Sequence, residues 1–303
     1  MKIAEHLQRS PYVREIVVAW NNLEKPCPAE LLTFPWVRCF QQVENLVSNR
    51  FLVWPNITTE AVLHYDDDLL APLEDLEAAF QIWRTHQEQV VGFEPRVIVC
   101  DEEEEEEEDE EATQGAVEMA KLPIIISGEE PERQGRKVKL TGCQYRFKLP
   151  DGFLDVIIGK LFFVSRTFMK AYFENAPLLE LSNNAPCEDI GMNFLAAHLD
   201  LPSSTSPHPI PRPPILFKSN LTEIHSKLYS GLSQGISSTV WRGKRHDCVQ
   251  NLVDIFGGSK PGEQRSFYER DAVRRRVYKL PVERRLEAGW CSDTMGSRIC
   301  RQP

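Results

Sequence analysis

The 303-residue sequence has no apolar run near the roughly 20 residues that a membrane helix requires. Its start, Met1-Lys2-Ile3-Ala4-Glu5-His6, lacks the apolar stretch of a signal peptide. Taken alone, these two absences predict a soluble, untargeted chain. No two of the eight cysteines form a C-x-x-C pair, which argues against a structural zinc site. A G-x-x-x-x-G-K phosphate loop is missing, and so is a Ser/His/Asp spacing suited to a nucleophilic triad. A real charge imbalance is missing too. The net charge of −10 comes from eleven consecutive acids between Asp101 and Glu111, and without them the remainder carries +1. Bulk charge therefore predicts no nucleic-acid partner.

What is present is the composition of a globular protein, with 42% hydrophobic and 26% charged residues, enough for one full-sized core or two small ones. Glu15–Trp20 and Ala61–Tyr65 are short, apolar and bounded by polar residues, the pattern of strands buried on both faces. After Pro72, Leu73, Leu76, Phe80 and Trp83 mark one face of a helix, and Val90–Phe93 suggests a further strand. Strands alternating with helices predict a parallel α/β sheet, whose ligands sit outside the carboxyl ends of its strands. Phe153–Phe163 is expected to be a strand, followed by a helix through Tyr172. A second amphipathic helix should carry Ile190, Phe194 and Ala197. The acidic stretch at about 99–140 has nothing to pack and is expected as a disordered surface insertion. Leu201–Pro214 should be a loop. The 259–303 tail, basic and aperiodic, is expected to be poorly ordered.

Three adjacent carboxylates, Asp66, Asp67 and Asp68, follow the second strand. They offer hard oxygen ligands for Mg²⁺ or Mn²⁺ bridging a diphosphate. They also suit a solvated turn capping the next helix. Arg50 is a natural phosphate clamp and Asn45 can read a base edge or a sugar hydroxyl, although both also suit a polar helix surface. Asp189 sits where a helix cap is expected. Arg245 lies in a basic cluster of the kind usually solvated, and His246 beside it carries no pattern of its own. Two sequons, Asn56-Ile-Thr58 and Asn220-Leu-Thr222, permit glycosylation in a lumenal protein.

In order along the chain, these segments resemble the C-terminal glycosyltransferase domain of the exostosin family. Ile16–Asn22 is similar to its strand ending in W-N-N, and Asn45–Phe51 to N-x-x-x-N-R-F. Thr58–Asp68 resembles T-E-A-V-L-x-x-D-D-D, followed by Phe80–Arg84 and Gly92–Arg96. Cys187–Phe194 looks like C-E-D-I-A-M-N-F. The resemblance implies a GT-A fold, a Rossmann-like nucleotide-diphospho-sugar transferase over residues 1–258 with a mostly parallel central sheet. Met1 falls beyond the family's first strand. It also implies Mn²⁺ (or Mg²⁺), a UDP-N-acetylhexosamine donor, a glycan or glycolipid acceptor, and retention of anomeric configuration in an α linkage. Carried over, Asn21, Asn45 and Arg50 hold the nucleotide, Asp66 and Asp67 lie along ribose and sugar, and Asp68 binds the metal. Asp189 sits beneath the anomeric carbon, and Arg245 neutralises the diphosphate. A Cys187–Cys248 disulfide and a membrane-associated Golgi or endoplasmic-reticulum location follow from the same likeness. The family's small residues around T-G-A stand here as Ile158-Gly-Lys-Leu161, which puts Lys160 toward the acceptor. The rival expectation is an impaired module that forms a homo- or heterodimer with an active relative.

Overall fold

Side-chain alternation along one central strand organises the layers. Within Leu161–Ser165, Phe162 and Val164 enter one apolar cluster, whereas Leu161 and Phe163 enter another on the opposite face. The computed structural model describes residues 2–104, 138–146, 154–199, 214–223, 238–256, 277–279, 291–294 and 297–300.

The chain opens with helix α1 (Lys2–Leu7) and strands β1 (Ile16–Trp20) and β2 (Val37–Gln41). A one-turn helix α2 (Asn49–Leu52) precedes β3 (Ala61–Tyr65), β4 (Leu69–Leu70) and α3 (Leu73–Arg84). Then come β5 (Val91–Gly92), β6 (Pro95–Glu104), β7 (Val138–Arg146), β8 (Val156–Ile157) and β9 (Leu161–Ser165). Three helices follow, α4 (Arg166–Glu174), α5 (Ala176–Asn184) and α6 (Glu188–His198). The remaining elements are β10 (Ile215–Lys218), β11 (Thr222–Glu223), α7 (Ser238–Ile255), β12 (Val277–Lys279), β13 (Cys291–Thr294) and β14 (Ser297–Cys300).

The central sheet runs β12-β10-β5-β9-β3. Parallel pairing holds at β10–β12 and β10–β5, but β9 is antiparallel to both β5 and β3. The sheet is therefore mixed, where the sequence suggested mostly parallel strands. β3 and β5, joined through α3, run in the same direction, but they do not pair because β9 lies between them. It follows β8 through a short turn at Ile158–Lys160, with no helix in between to bring it back in the parallel sense.

β1 and β2 pair in parallel in a separate two-stranded sheet. Residues of β1 are half-buried, and in β3 only His64 is buried. Burial on both faces, expected for these strands, is not what they show. Among the described residues β1 pairs only with β2, and β3 pairs only with β9, so each has one side without a neighbouring strand.

α3 covers one face, with Leu76, Ile82 and Trp83 meeting Val91, Leu161 and Phe163. α4, α6 and α7 cover the other, where Phe51, Phe162, Phe168, Tyr172, Phe194 and Leu252 are fully buried. α6 was expected to be amphipathic, yet every residue from Glu188 to Ala197 is buried. A helix enclosed on all sides must find internal partners for its acids.

Three disulfides are formed: Cys27–Cys39, Cys100–Cys143 and Cys187–Cys248. The acidic insertion is described only at its ends, in the β6–β7 hairpin, and the rest of it lies outside the described residues. So does nearly all of the Leu201–Pro214 stretch. Of the tail, β12 and the β13–β14 hairpin are described.

Candidate active site

The acidic triplet lies at the carboxyl end of β3. Asp66 N–H donates to the Lys160 carbonyl at 2.9 Å, and Ala71 N–H donates to the Tyr65 hydroxyl at 2.9 Å, closing the turn. Asp66 is half-buried, whereas Asp67 and Asp68 are exposed. The helix-cap alternative does not hold here. α3 is capped by Pro72, no side chain caps it, and its first turn carries Glu74 and Asp75 instead.

Arg50 links the triplet to the far wall. Its guanidinium reaches Asp66 Oδ1 at 2.9 Å and Glu188 Oε1 at 3.6 Å, and donates to the Gly159 carbonyl at 2.6 Å. Burial pushes the Asp66 carboxyl up to about 6; Arg50 pulls it down and Asp68 adds repulsion.

Gly159 turns its two backbone groups to two partners. While its carbonyl faces Arg50, its N–H donates to Asp189 Oδ2 at 2.7 Å. A Cβ at this position would lie 2.9 Å from Asp189 Cβ and 3.3 Å from Arg50 Nη1, so only glycine permits the approach. The stretch expected as one strand over Phe153–Phe163 breaks here because Gly159 N–H bonds a side chain rather than a strand.

Asp189 occupies the first turn of α6, one residue beyond the start, and is 3% exposed. Burial disfavours its charge, but Arg245 and the N–H groups of Gly159 and Ile190 outweigh that and hold the carboxyl below its ordinary range. Arg245 Nη2 contacts both carboxylate oxygens, at 2.8 and 2.9 Å, and Nη1 donates to the Pro186 carbonyl at 3.0 Å. Its guanidinium also stacks over the Tyr145 ring, 5.0 Å from the centroid. The Cys187–Cys248 bond ties the start of α6 to α7 three residues beyond Arg245.

Several contributors had no signal of their own in the sequence. Glu188 is buried between Asp189 and Arg50, and burial and then Asp189 push its carboxyl up to about 7. Asn193 fixes the β8 edge by accepting from Ile157 N–H and donating to the Ile157 and Asp189 carbonyls. His64 lies stacked on Phe162; burial and then the charge of Arg50 keep its pKa well below the usual histidine value. Only the spacing of Glu188 and Asn193 from Asp189, one residue before and four after on a helix, could have pointed to them.

Arg50, Asp66, Asp189 and Arg245 are thus joined in one continuous network, and Asp67 and Asp68 border it. Asn21 lies outside that network: it donates to the Leu46 carbonyl and accepts from Asn49, which holds it against the loop that carries the exposed Asn45. Asn49 is the asparagine that locks the loop. A hollow of about 420 Å³, lined by Thr141–Gln144 and by His246, Asp247, Gln250 and Asp254 of α7, contains none of the expected site residues.

Among the described residues no three or more His, Cys, Asp or Glu side chains gather into a metal cage. An exposed Asp68 beside a strand end still suits a divalent ion that takes its other ligands from substrate phosphates and water.

The mixed α/β fold thus sets acids at a strand end opposite a buried aspartate, with Arg50 between them. Residues 1–116 match the Glycosyl transferase family 64 domain. The chain is 30% identical over 252 residues to glucosamine inositolphosphorylceramide transferase 1 of Arabidopsis thaliana, covering 82% of this chain and 27% of that protein. It is 28% identical over 267 residues to human Exostosin-like 2, covering 84% and 68%. Against the Exostosin-like-3 homolog of Caenorhabditis elegans it is 26% identical over 262 residues, covering 84% and 25%. The family 64 glycosyltransferase match thus lies in residues 1–116, and over most of its length the chain is similar to exostosin-like proteins. It spans about a quarter of the Arabidopsis relative's length.

Proposed function

We propose that this chain transfers an N-acetylhexosamine, GlcNAc or GalNAc, from a UDP-sugar to a glycan or glycolipid acceptor, in α linkage with retention of configuration, on a GT-A framework. The Asp189–Arg245 pair, linked to Asp66 through Gly159 and Arg50, is the observation that carries this reading. A relative named for transferring glucosamine to inositolphosphorylceramide favours an amino-sugar donor and a glycolipid acceptor.

In this reading the uridine lies along Asn21, Asn45 and Arg50, and the sugar between Asp66, Asp67 and Asp189. Asp189 is ionised at neutral pH and buried, so its charge is little screened. It faces carbon one as the bond to diphosphate breaks, either as nucleophile or as counter-charge to an oxocarbenium-like ion. Arg245 shares its charge with the departing phosphate. Asp68 would hold Mn²⁺ (or Mg²⁺) with the diphosphate, and a bound ion there supplies Lewis-acid charge for the leaving group. The three disulfides support an oxidising lumen, such as the Golgi or endoplasmic reticulum. No described helix is long and apolar enough to cross a membrane.

Hydrolysis of the donor sugar, which needs no acceptor, tests the reading. UDP-N-acetylhexosamine with Mn²⁺ should release UDP, and Asp189→Asn should abolish the release. Turnover unchanged in Asp189→Asn would sink the assignment. A second reading, a non-catalytic partner of an active relative as a homo- or heterodimer, draws on the strand-free sides of β1 and β3. It is favoured if UDP binds and no hydrolysis occurs.

A further inference from the structure

We propose that Asn220 is an N-glycosylation site, and that of the two sequons it is the one whose glycan the folded chain houses. Three observations carry this.

The first is exposure within a held backbone. Asn220 lies in the three-residue connection between β10 and β11. On one side Ser219 Oγ donates to Asp75 Oδ2 at 2.5 Å, and on the other Leu221 packs against the α3-side apolar cluster. With its neighbours anchored inward, Asn220 is exposed, and its amide makes no hydrogen bond to the described residues. Thr222, the third residue of the triplet, is exposed as well. A branched oligosaccharide on this amide extends into solvent and displaces no packed side chain.

The second observation is the contrast with Asn56. It is half-buried in a one-turn 3₁₀ helix beside Pro55, and its carbonyl accepts from Arg38. The hydroxyl and N–H of Thr58 both donate to Glu15 Oε1, at 2.8 and 2.9 Å. In that triplet the Asn56 carbonyl and both the hydroxyl and the N–H of Thr58 are already engaged by the fold.

The third is the compartment. Three disulfides among the described cysteines require an oxidising environment, the same one in which asparagine-linked transfer takes place. There the Asn220 amide nitrogen attacks carbon one of an oligosaccharide carried on a polyprenyl diphosphate. The bond from that carbon to the diphosphate oxygen breaks, a carbon–nitrogen bond forms, the amide loses one proton, and the polyprenyl diphosphate departs. Thr222 pairs with Leu70, two residues past Asp68, so the glycan stands beside the acidic end of the site.

The test is to route the whole chain through the secretory pathway of cultured mammalian cells behind an added leader. Intact mass is measured before and after peptide N-glycosidase, with tandem mass spectrometry to find the asparagine converted to aspartate. Thiol labelling with and without reduction is run on the same sample. The expected result is a glycan at Asn220, lost in Asn220→Gln and kept in Asn56→Gln, with Mn²⁺-dependent UDP binding equal in Asn220→Gln and the parent chain. Protected thiols with Asn220 unmodified, or a glycan on Asn56 alone, overturns the proposal. Fully reactive thiols overturn its compartment premise. None of these outcomes depends on donor hydrolysis, so the transferase reading fails or stands separately.

Discussion

Arg245 Nη2 spans both oxygens of the Asp189 carboxylate, and both residues are more than nine-tenths buried. A charge pair this deep is stable only while both members are present, because either one alone is left unpaired in a medium of low dielectric. Arg245→Ala should therefore destabilise the chain by about 3–5 kcal/mol, read as a lower urea midpoint. Removing both charges, as Asp189→Asn with Arg245→Met, should recover a large part of that loss. If the double variant is no more stable than Arg245→Ala, the pair is not coupled as the geometry requires.

Gly159→Ala places a methyl group against Asp189 Cβ and the Arg50 guanidinium. Overpacking of this kind costs about 1–3 kcal/mol. Because Asp189 is the group proposed to face carbon one, donor hydrolysis should fall at least tenfold, while UDP affinity, which Arg50 would share with Asn21 and Asn45, changes less. Equal loss of both would point to general unfolding, which a thermal melt of the variant distinguishes.

The pH dependence of stability should show Glu188. Its folded carboxyl is raised from 4.5 to about 7, so between those values the folded chain holds a proton that the unfolded chain has released. Its contribution is fully present below about pH 4.5 and is lost as pH rises toward 7. Glu188→Gln removes this dependence. The stability of the parent relative to Glu188→Gln should fall by on the order of 1–3 kcal/mol from pH 4.5 to 7 and be flat above 7. His64 acts in the opposite sense. Its folded pKa is depressed, so stability is lost as pH falls below the ordinary histidine value of 6.5. His64→Phe should flatten the acid side of the profile.

Asp68→Ala should weaken Mn²⁺-dependent UDP binding by tenfold or more in calorimetry, and chelation should reduce the parent to the same level. Asp67→Ala should have the smaller effect on the metal and the larger on the sugar. Binding in Asp68→Ala that still responds fully to Mn²⁺ would remove Asp68 from the metal assignment.

How much of this was legible in the sequence depended on whether a signal was local. The helix after Pro72 and the strand Ala61–Tyr65 were visible because their patterns are complete within a dozen residues. The sense of β9 was not, because pairing direction is set by how a distant segment enters the sheet, and the Ile158–Lys160 turn falls inside the apolar stretch Phe153–Phe163 that suggests one strand. The acids at 66–68 and Asp189 stood out by adjacency and by likeness to a family. Glu188 did not, since an acid at a helix start is common and its burial depends on helices and a disulfide far along the chain. Arg245 looked like a solvated cluster residue because Tyr145, Pro186 and Asp189, which enclose it, are remote in sequence.

The Cys100–Cys143 bond joins the chain just before and just after the stretch that holds the eleven acids. A protease cut anywhere between those cysteines would leave the two pieces covalently joined, so the nick would go unseen on a non-reducing gel and show as two bands once reductant is added. The same closure means that residues could be added to or taken from the acidic stretch without changing the distance between the two strand ends that carry it.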